Sequence, residues 1–215
     1  TPQSKPVDAP NPVTAAEARY FAELDKAIAG VRDWSPAAED LQRVREVHTA
    51  IAARDLIRAR LARDAIQDPT GQRLADWLRL RAGYGEIAEL KGFLEAEPDW
   101  PNRHILQRRL EEQVFTTGGA PSAIRAHLAG QPPEGGAGLA ALASAALAEG
   151  KTEEARALAA KAWRDLDMPA TFETGFLQRF ASLLKPADHK WRLDSVLIDE
   201  IRWTATRTER AALAR

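Results

Sequence analysis

The 215-residue sequence contains no cysteine. This absence excludes disulfide bonds, thiolate nucleophiles and zinc sites built from cysteine. Aromatic residues are scarce, at 7% of the chain, and no apolar run approaches the roughly 20 residues that a membrane-spanning helix needs. Helix-forming alanine, leucine, arginine and glutamate dominate over the β-branched and aromatic residues typical of strands. The sequence therefore predicts a helical protein without a membrane span.

An excess of either charge is also lacking, because 30 basic and 31 acidic side chains nearly cancel. Nucleic acid requires a basic protein face, and anionic membrane surfaces attract clustered lysine and arginine. We therefore expect no nucleic acid and no membrane surface among the partners. The length allows one large domain or two small ones, and either could bury a core.

Amphipathic helical segments fill the sequence from Thr14 onward. Thr14 and Glu17 form a capping box, and Ser35-Pro36 predicts an N-cap and first residue for a second helix. Glycine and proline turn signals then recur as far as Pro186, which gives about twelve helices and no convincing strand. The first three apolar stripes comprise Tyr20, Leu24, Ile28 and Val31; Leu41, Val44, Val47, His48 and Ile51; and Leu56, Ile57, Leu61 and Ile66.

The clearest helical hairpin runs from residue 139 to residue 166. Its turn is Glu149-Gly150-Lys151, and we expect Thr152 to cap the second helix. Small residues allow the two helices to approach closely, while larger side chains fill the gaps. The unit resembles a tetratricopeptide-type hairpin with its consensus only partly kept. The small residues are Ala143, Ala146, Ala155 and Ala159, and the gap-filling residues are Leu147, Leu158 and Trp163.

The predicted fold is all-α: a right-handed α-superhelix, or solenoid, of about twelve antiparallel helices in degenerate tetratricopeptide-like hairpins. We assign residues 14–215 to this superhelical domain. Residues 1–13 are rich in proline and predict a flexible lead-in, which is compatible with a processed secretory signal or an engineered start. Stacked hairpins predict a curved, extended surface rather than a compact pocket.

The candidate catalytic residues do not form a recognisable site. His48, His104, His127 and His189 lack the i, i+4 spacing of a helical metal site, so we expect no metal and no cofactor. We expect His48 and His127 to pack at half-buried positions. No serine lies in a nucleophile elbow.

Acidic and glycine pairs are equally uninformative about chemistry. Glu111-Glu112 and Glu153-Glu154 point about 100° apart on a helix, unlike the converging carboxyls of a glycosidase, so we interpret them as solvated faces. Gly118-Gly119 and Gly135-Gly136 follow helices and lack the lysine-serine ending of a P-loop. The sequence therefore predicts no catalytic and no metal-binding residue, and the ligand-binding residues remain unknown.

The arginines and tryptophans have ordinary interpretations. Arginines at positions 54–63, 79 and 81 are interleaved with acids, which indicates an ion-paired surface. The six tryptophans lie in helical stripes or turns, where indoles fill gaps between helices more often than they stack on sugars. At Pro98–Pro101 we expect Pro98 to end one helix, Pro101 to begin the next and Trp100 to pack at the joint. The outer and flanking faces beyond this corner carry Arg103, His104, Arg108 and Arg109.

Two ordered sets of residues resemble a known family. The first set contains Leu74–Arg81 (LADWLRLR), Glu86-Ile87, Phe93-Leu94, Pro98–Pro101 (PDWP) and Arg108–Glu111 (RRLE). The second set contains Phe176–Phe180 (FLQRF) and Asp188–Asp194 (DHKWRLD), and the tetratricopeptide-like hairpin lies between the two sets. In this order they resemble the N-terminal superhelical region of soluble lytic murein transglycosylases, over roughly residues 68–200.

The resemblance implies a periplasmic protein directed at peptidoglycan. Whole enzymes of this family cleave the β-1,4 bond between N-acetylmuramic acid and N-acetylglucosamine and leave a 1,6-anhydro product. Their superhelical part forms a support that shapes access for the glycan strand. The partners implied are peptidoglycan glycan strands or a catalytic domain in the same parent protein.

This chain departs from the family in two respects. The family commonly has a tryptophan near the position of Ile198-Asp199, and the tail 201–215 fits its continuation poorly. The Glu-Ser motif of the lysozyme-like catalytic domain and its Gly-Leu-Met-Gln stretch have no counterpart, since the single methionine, Met168, lies in an unrelated turn. The resemblance therefore transfers no catalytic residue, and enzyme activity of this chain is left uncertain.

A second function fits the same predicted fold. A tetratricopeptide-like adaptor binds a protein partner on its concave face, as solenoids commonly do. A third interpretation, an active enzyme on a helical fold, lacks the required pairs of catalytic groups.

Overall fold

The computed structural model describes residues 14–32, 35–164 and 170–199. Within these ranges the chain forms α-helices and one 3-10 turn (Ala181–Leu183), with no strand. The all-α prediction is confirmed for this part of the chain. The helices are α1 (Ala15–Arg32), α2 (Ala38–Ala52), α3 (Leu56–Asp64), α4 (Pro69–Arg81), α5 (Ile87–Ala96), α6 (Arg103–Thr117), α7 (Pro121–His127), α8 (Gly136–Ala148), α9 (Thr152–Arg164), α10 (Ala170–Phe180) and α11 (Pro186–Asp199).

Several predicted features lie outside the described residues. They are the lead-in 1–13, the side chain of Val31, Trp34, Met168, the side chain of Ile198, Trp203 and the rest of the tail 201–215.

Side-chain caps explain where several helices begin. Thr14 and Glu17 form the predicted capping box of α1, with the Glu17 amide 3.2 Å from the Thr14 hydroxyl. Asp55 accepts the Arg58 amide at the start of α3. The Ser35-Pro36 prediction was wrong, because α2 begins at Ala38 after Ala37 and has no side-chain cap.

Helices α2, α3 and α4 enclose a small apolar cluster. Asp40 anchors α2 to the connection between α3 and α4, since its buried carboxylate accepts the amides of Gln67 and Asp68 at 3.0 and 2.8 Å. These amide hydrogen bonds lower the pKa of Asp40. The buried cluster contains Val47, Ala50, Ile51, Ala59, Ala62, Ile66 and Ala75.

A second, larger cluster extends from α4 to α10, with α11 packed beside it. The α8–α9 hairpin forms its tightest contact, and α6 and α7 also pack against α8. All four predicted small residues of the hairpin are fully buried, and so is Trp163. Leu147 does not fill a gap as predicted, because 40% of its surface is exposed. Helix α9 begins at Thr152 itself, so this residue is not the cap that the sequence suggested.

Two predicted apolar stripes are largely exposed, although Ile66, the last residue of the third stripe, is fully buried. On α1, the exposed side chains are Tyr20 at 63%, Phe21, Leu24 and Ile28. On α3, Ile57 and Leu61 are 77% and 67% exposed, because α3 contacts α2 through Ala59 and Ala62 instead. The large aliphatic residues of α3 therefore point away from the core. No helix in the described ranges is both long and apolar enough to cross a bilayer.

Candidate functional site

An open cleft of about 580 Å³ lies between α2, α3, α4 and α5. The α2–α4 packing places buried Val47, Ala59, Ala75 and Leu80 along its floor. Half-buried aromatic rings of Tyr84 and Phe93 complete the lining toward α5. The sequence predicted no such cavity, because its walls come from four separate helices.

Arginine–carboxylate pairs between neighbouring helices form the rim of the cleft. Arg63 on α3 donates to both oxygens of Asp76 on α4, at 2.9 and 2.6 Å. Arg79 on α4 donates to both oxygens of Glu89 on α5, at 3.1 and 2.6 Å. Its guanidinium also reaches the carbonyl oxygen of Tyr84 at 2.6 Å. Paired guanidinium and carboxylate groups of this geometry hold adjoining helices in register.

The pairing shifts the ionisation of these groups. Hydrogen bonding to Asp76 raises the pKa of Arg63. Hydrogen bonding from Arg79 lowers the pKa of Glu89. Arg63 and Glu89 therefore stay charged near neutral pH, and the rim presents charges of both signs.

One guanidinium on the rim is only loosely engaged. Arg60 lies 3.9 Å from Asp64, and 83% of its side chain is exposed. An incoming carboxylate therefore meets a cation whose solvation is intact and whose protein partner is weak. An apolar floor, two aromatic rings and such a cation are features of sites that bind peptides or small amphipathic molecules.

The corner between α5 and α6 is an elbow, as predicted. Trp100 packs edge-on against Phe93 with ring centroids 5.4 Å apart. Pro98 follows the end of α5 at Ala96. Pro101 does not begin α6, because Asn102 lies between them in a left-handed conformation and α6 starts at Arg103.

Arginines around this corner make structural hydrogen bonds. Arg103 donates to the carbonyl oxygens of Leu94 and Glu97, which closes the end of α5. Arg109 donates to the Arg81 carbonyl oxygen and to Glu112. They tie the elbow to α4 and α5.

Glu111 corrects the prediction of a solvated acidic face. Its side chain is fully buried and accepts the amides of Glu134 and Gly135 at 2.7 and 2.9 Å, immediately before α8. Burial raises the pKa of Glu111 against the effect of these hydrogen bonds. Gly138 is needed nearby, since an added Cβ would lie 2.7 Å from the Glu111 carboxyl carbon. Thus Gly135-Gly136 begin a helix rather than follow one, and a carboxylate already accepts the two amides that immediately precede it.

The second set of resembling residues is also structural. Phe176 and Phe180 are fully buried, and Phe176 stacks on Trp163 at 5.4 Å. The buried Arg192 pairs with Glu173, donates to the Trp163 carbonyl oxygen and lies 4.4 Å above the Trp163 ring. These contacts pack α9, α10 and α11 together.

The four histidines lie apart, as their spacing indicated. His48 is exposed rather than half-buried, which corrects the prediction, whereas His127 is half-buried as expected. His104 is exposed and His189 packs edge-on against Trp163. Among the described residues, no three histidine, aspartate or glutamate side chains come together as metal ligands.

Three of the four described tryptophans pack as predicted. Trp77 and Trp100 are half-buried and Trp163 is fully buried. Trp191 corrects the prediction, because 46% of its surface is exposed on α11. It is the described indole with the most accessible ring.

Sequence patterns predicted several side chains correctly but not their tertiary arrangement. Of the arginines interpreted as ion-paired, Arg58, Arg60, Arg63 and Arg79 have acidic partners, and the short pairs join different helices rather than neighbouring turns of one helix. Arg81 lies over the Trp77 ring instead. The signal for these pairs that the sequence did contain is the presence of charged residues on turns of consecutive helices that face each other. Comparison with known protein families, curated proteins and solved structures finds no match to this chain.

Proposed function

We propose that this chain is the non-catalytic superhelical part of a periplasmic lytic murein transglycosylase. In this role it acts as a scaffold that shapes access of the peptidoglycan glycan strand to a catalytic domain located elsewhere in the parent protein. The ordered residues from Leu74 to Asp194 that resemble the family carry the proposal. The contacts described above support it, since Trp100, Glu111, Phe176 and Arg192 all hold helix junctions in place.

The proposed architecture is a right-handed superhelix of tetratricopeptide-like hairpins. The α8–α9 hairpin, with its buried alanine contact, is the clearest example of this unit. Consecutive helices that pack on both their predecessors and their successors, as α8 does with α7 and α9, are the arrangement that a solenoid requires.

Trp191 provides a specific observation in favour of glycan binding. Indole faces stack on sugar rings, and an indole buried in a helix junction is not available for this contact. The ring of Trp191 is half in solvent and lies between Lys190 and the buried Arg192 on α11. We therefore place a glycan contact at this helix.

Co-sedimentation of the purified chain with peptidoglycan sacculi tests the proposal. We expect binding that Trp191→Ala weakens at least about fivefold, while Leu147→Ala, a change at another exposed apolar residue, has no effect. The sample should release no anhydro-muropeptides. Absence of sacculus binding, or equal binding by both variants, contradicts a glycan contact at Trp191. The full reading frame of the parent gene provides a further test, since it should encode the Glu-Ser motif.

The cleft favours a second candidate function, that of an adaptor for a protein partner. Its apolar floor, paired charges and exposed Arg60 match a peptide with an apolar side chain and a nearby carboxylate. Capture of one peptide that Arg60→Glu abolishes, together with failure to bind sacculi, supports the adaptor over the transglycosylase scaffold.

A further inference from the structure

The exposed apolar residues of this protein are concentrated at one end of the chain. Of the large hydrophobic side chains exposed among the described residues, all but Leu147 and Trp191 lie between Tyr20 and Leu74. Scattered exposed hydrophobic residues are normal, whereas a concentration of them marks an interaction surface. Two helices in this region, α1 and α3, carry most of the exposed apolar surface.

Helix α1 has one apolar face bordered by acids. At 3.6 residues per turn, Tyr20, Phe21, Leu24 and Ile28 share one side of the helix. Glu23 and Asp25 lie at the two edges of this face, about 100° to either side of Leu24. The basic residues Arg19 and Lys26 fall on the opposite side. The face is therefore apolar in the middle and acidic along both borders.

Helix α3 has the complementary pattern. Ile57 and Leu61 form a neighbouring apolar pair on its exposed side, and Leu56 continues this surface toward the cleft. Arg58 and Arg60 border the pair on either side, with 56% and 83% of their side chains exposed. The apolar residues of α3 thus have an exposed guanidinium on each side, whereas those of α1 are bordered by anions. Arg58 also pairs with Glu46 of α2, and Arg60 with Asp64, which lies on the same stripe as Ile57 and Leu61.

We infer that α1 of one molecule packs on α3 of a second copy, so that the chain forms a reciprocal dimer. Each protomer supplies one α1 face and one α3 face. In a twofold dimer the α1–α3 contact therefore forms twice, once in each direction. The contact buries four large apolar side chains of α1 and three of α3 from each protomer. It also brings Glu23 and Asp25 toward Arg58 and Arg60, which determines the partner through charge complementarity.

Sedimentation equilibrium of the full chain over a concentration series tests the inference. We expect a reversible monomer–dimer equilibrium. Leu24→Asp on α1 and Ile57→Asp on α3 should each raise the dimer dissociation constant at least about tenfold, because each places an unpaired charge in both symmetric contacts. Both positions are exposed in the monomer, so helicity measured by circular dichroism should stay unchanged. Leu147→Asp, at an exposed apolar site outside both faces, is the matched control.

Charge exchange distinguishes the proposed pairing from simple apolar association. Reversal of the α1 borders (Glu23→Lys with Asp25→Lys) or of the α3 borders (Arg58→Glu with Arg60→Glu) should each weaken the dimer, and the fourfold variant should restore it. Reversal of the opposite side of α1 (Arg19→Glu with Lys26→Glu) should leave the dimer intact.

Three results would overturn the inference. A monomer at every concentration excludes the dimer, including the case in which α1 folds back on its own chain. A dimer that Leu24→Asp disrupts and Ile57→Asp leaves intact indicates that two α1 helices pair with each other. A fourfold charge variant that is weaker than either double variant excludes the proposed contact between the acidic and basic borders.

Discussion

Single buried polar residues define the helix junctions of this protein. Glu111 holds the start of α8, and Arg192 joins α9 to α10 and α11. Both residues are fully buried, so their hydrogen bonds are not shared with water. Removing either leaves donors or acceptors without partners inside the fold.

Replacement of Glu111 should destabilise the protein far more than replacement of an exposed acidic residue. Glu111→Ala removes the acceptor of two amides and leaves a void beside Gly138, so we expect a loss of about 2–3 kcal/mol in the free energy of unfolding, measured in urea. Glu111→Gln keeps one acceptor and should lose about 1 kcal/mol. Glu153→Ala, at an exposed acid, serves as control and should change stability by less than about 0.5 kcal/mol.

The raised pKa of Glu111 also predicts a pH dependence. The folded state keeps the proton to a higher pH than the unfolded state, so this contribution to stability is present below the usual glutamate pKa of about 4.3 and is lost as pH rises through the folded value. Wild-type protein should therefore lose stability relative to Glu111→Gln over this interval. Parallel stability curves for the two proteins would contradict the assignment.

The Arg192–Glu173 pair should behave as a buried ion pair. Arg192→Met leaves the Glu173 carboxylate without its guanidinium, and we expect a loss of about 3–5 kcal/mol in the free energy of unfolding. The double variant Arg192→Met/Glu173→Gln should recover much of this loss. Lys190→Met breaks the exposed pair with Asp194 on the same helix and should cost less than about 1 kcal/mol.

At the scale of helices, sequence periodicity predicted where a helix forms better than it predicted which face of the helix is buried. The capping box at Thr14 and the buried alanines of α8 and α9 were readable, because both depend on residues close in sequence or on a strong local pattern. The orientation of α3 was not readable. Its leucines and isoleucine suggested a core face, but close packing on α2 selects Ala59 and Ala62, whose small side chains permit the approach.

The cleft was invisible in the sequence for a related reason. Its strong ion pairs join residues of different helices, so each half looks like an ordinary surface charge until tertiary packing brings it to its partner. The burial of Glu111 was missed for the same reason. Nothing within α6 distinguishes Glu111 from Glu112, and it is the packing of α8 that buries Glu111. The cleft and the burial of Glu111 were missed because both depend on contacts between helices that are distant in sequence.

Two of the three rim arginines of the cleft, Arg79 and Arg60, should differ in their structural importance. Arg79→Lys loses the two-point contact with Glu89 and the bond to the Tyr84 carbonyl oxygen, so we expect a loss of about 1 kcal/mol. Arg60→Ala removes a cation with only a distant partner and should leave stability unchanged within about 0.5 kcal/mol. Urea unfolding at low and high salt measures both effects. Equal losses would show that Arg79 does not tie α4 to α5.

At the scale of the whole molecule, the protein contains two apolar clusters of unequal size. We therefore expect it to unfold locally in two steps. The α2–α4 cluster contains seven buried residues, four of them alanine, and so buries less apolar volume than the cluster of α4–α10. Regions with fewer buried apolar contacts open at lower free energy. Amides of α2 and α3 should therefore exchange with deuterium before those of α8 and α9.

A matched pair of core variants tests this order. Ile66→Ala and Leu106→Ala each truncate a fully buried side chain, one in each cluster, and each should cost about 2–5 kcal/mol locally. We expect Ile66→Ala to speed exchange in α2–α4 and to leave α8–α9 unchanged. Uniform acceleration over the whole described chain would show that the clusters unfold as one unit.

The contact between α8 and α9 restricts the substitutions that evolution can accept there. This seam is formed by alanine methyl groups, so glycine is the only smaller replacement. Almost every other substitution introduces a larger side chain and pushes the helices apart. Because later helices rest on this hairpin, such a wedge would shift their positions as well. Lineages that carry this chain should therefore preserve small residues at the seam long after the surrounding surface has diverged.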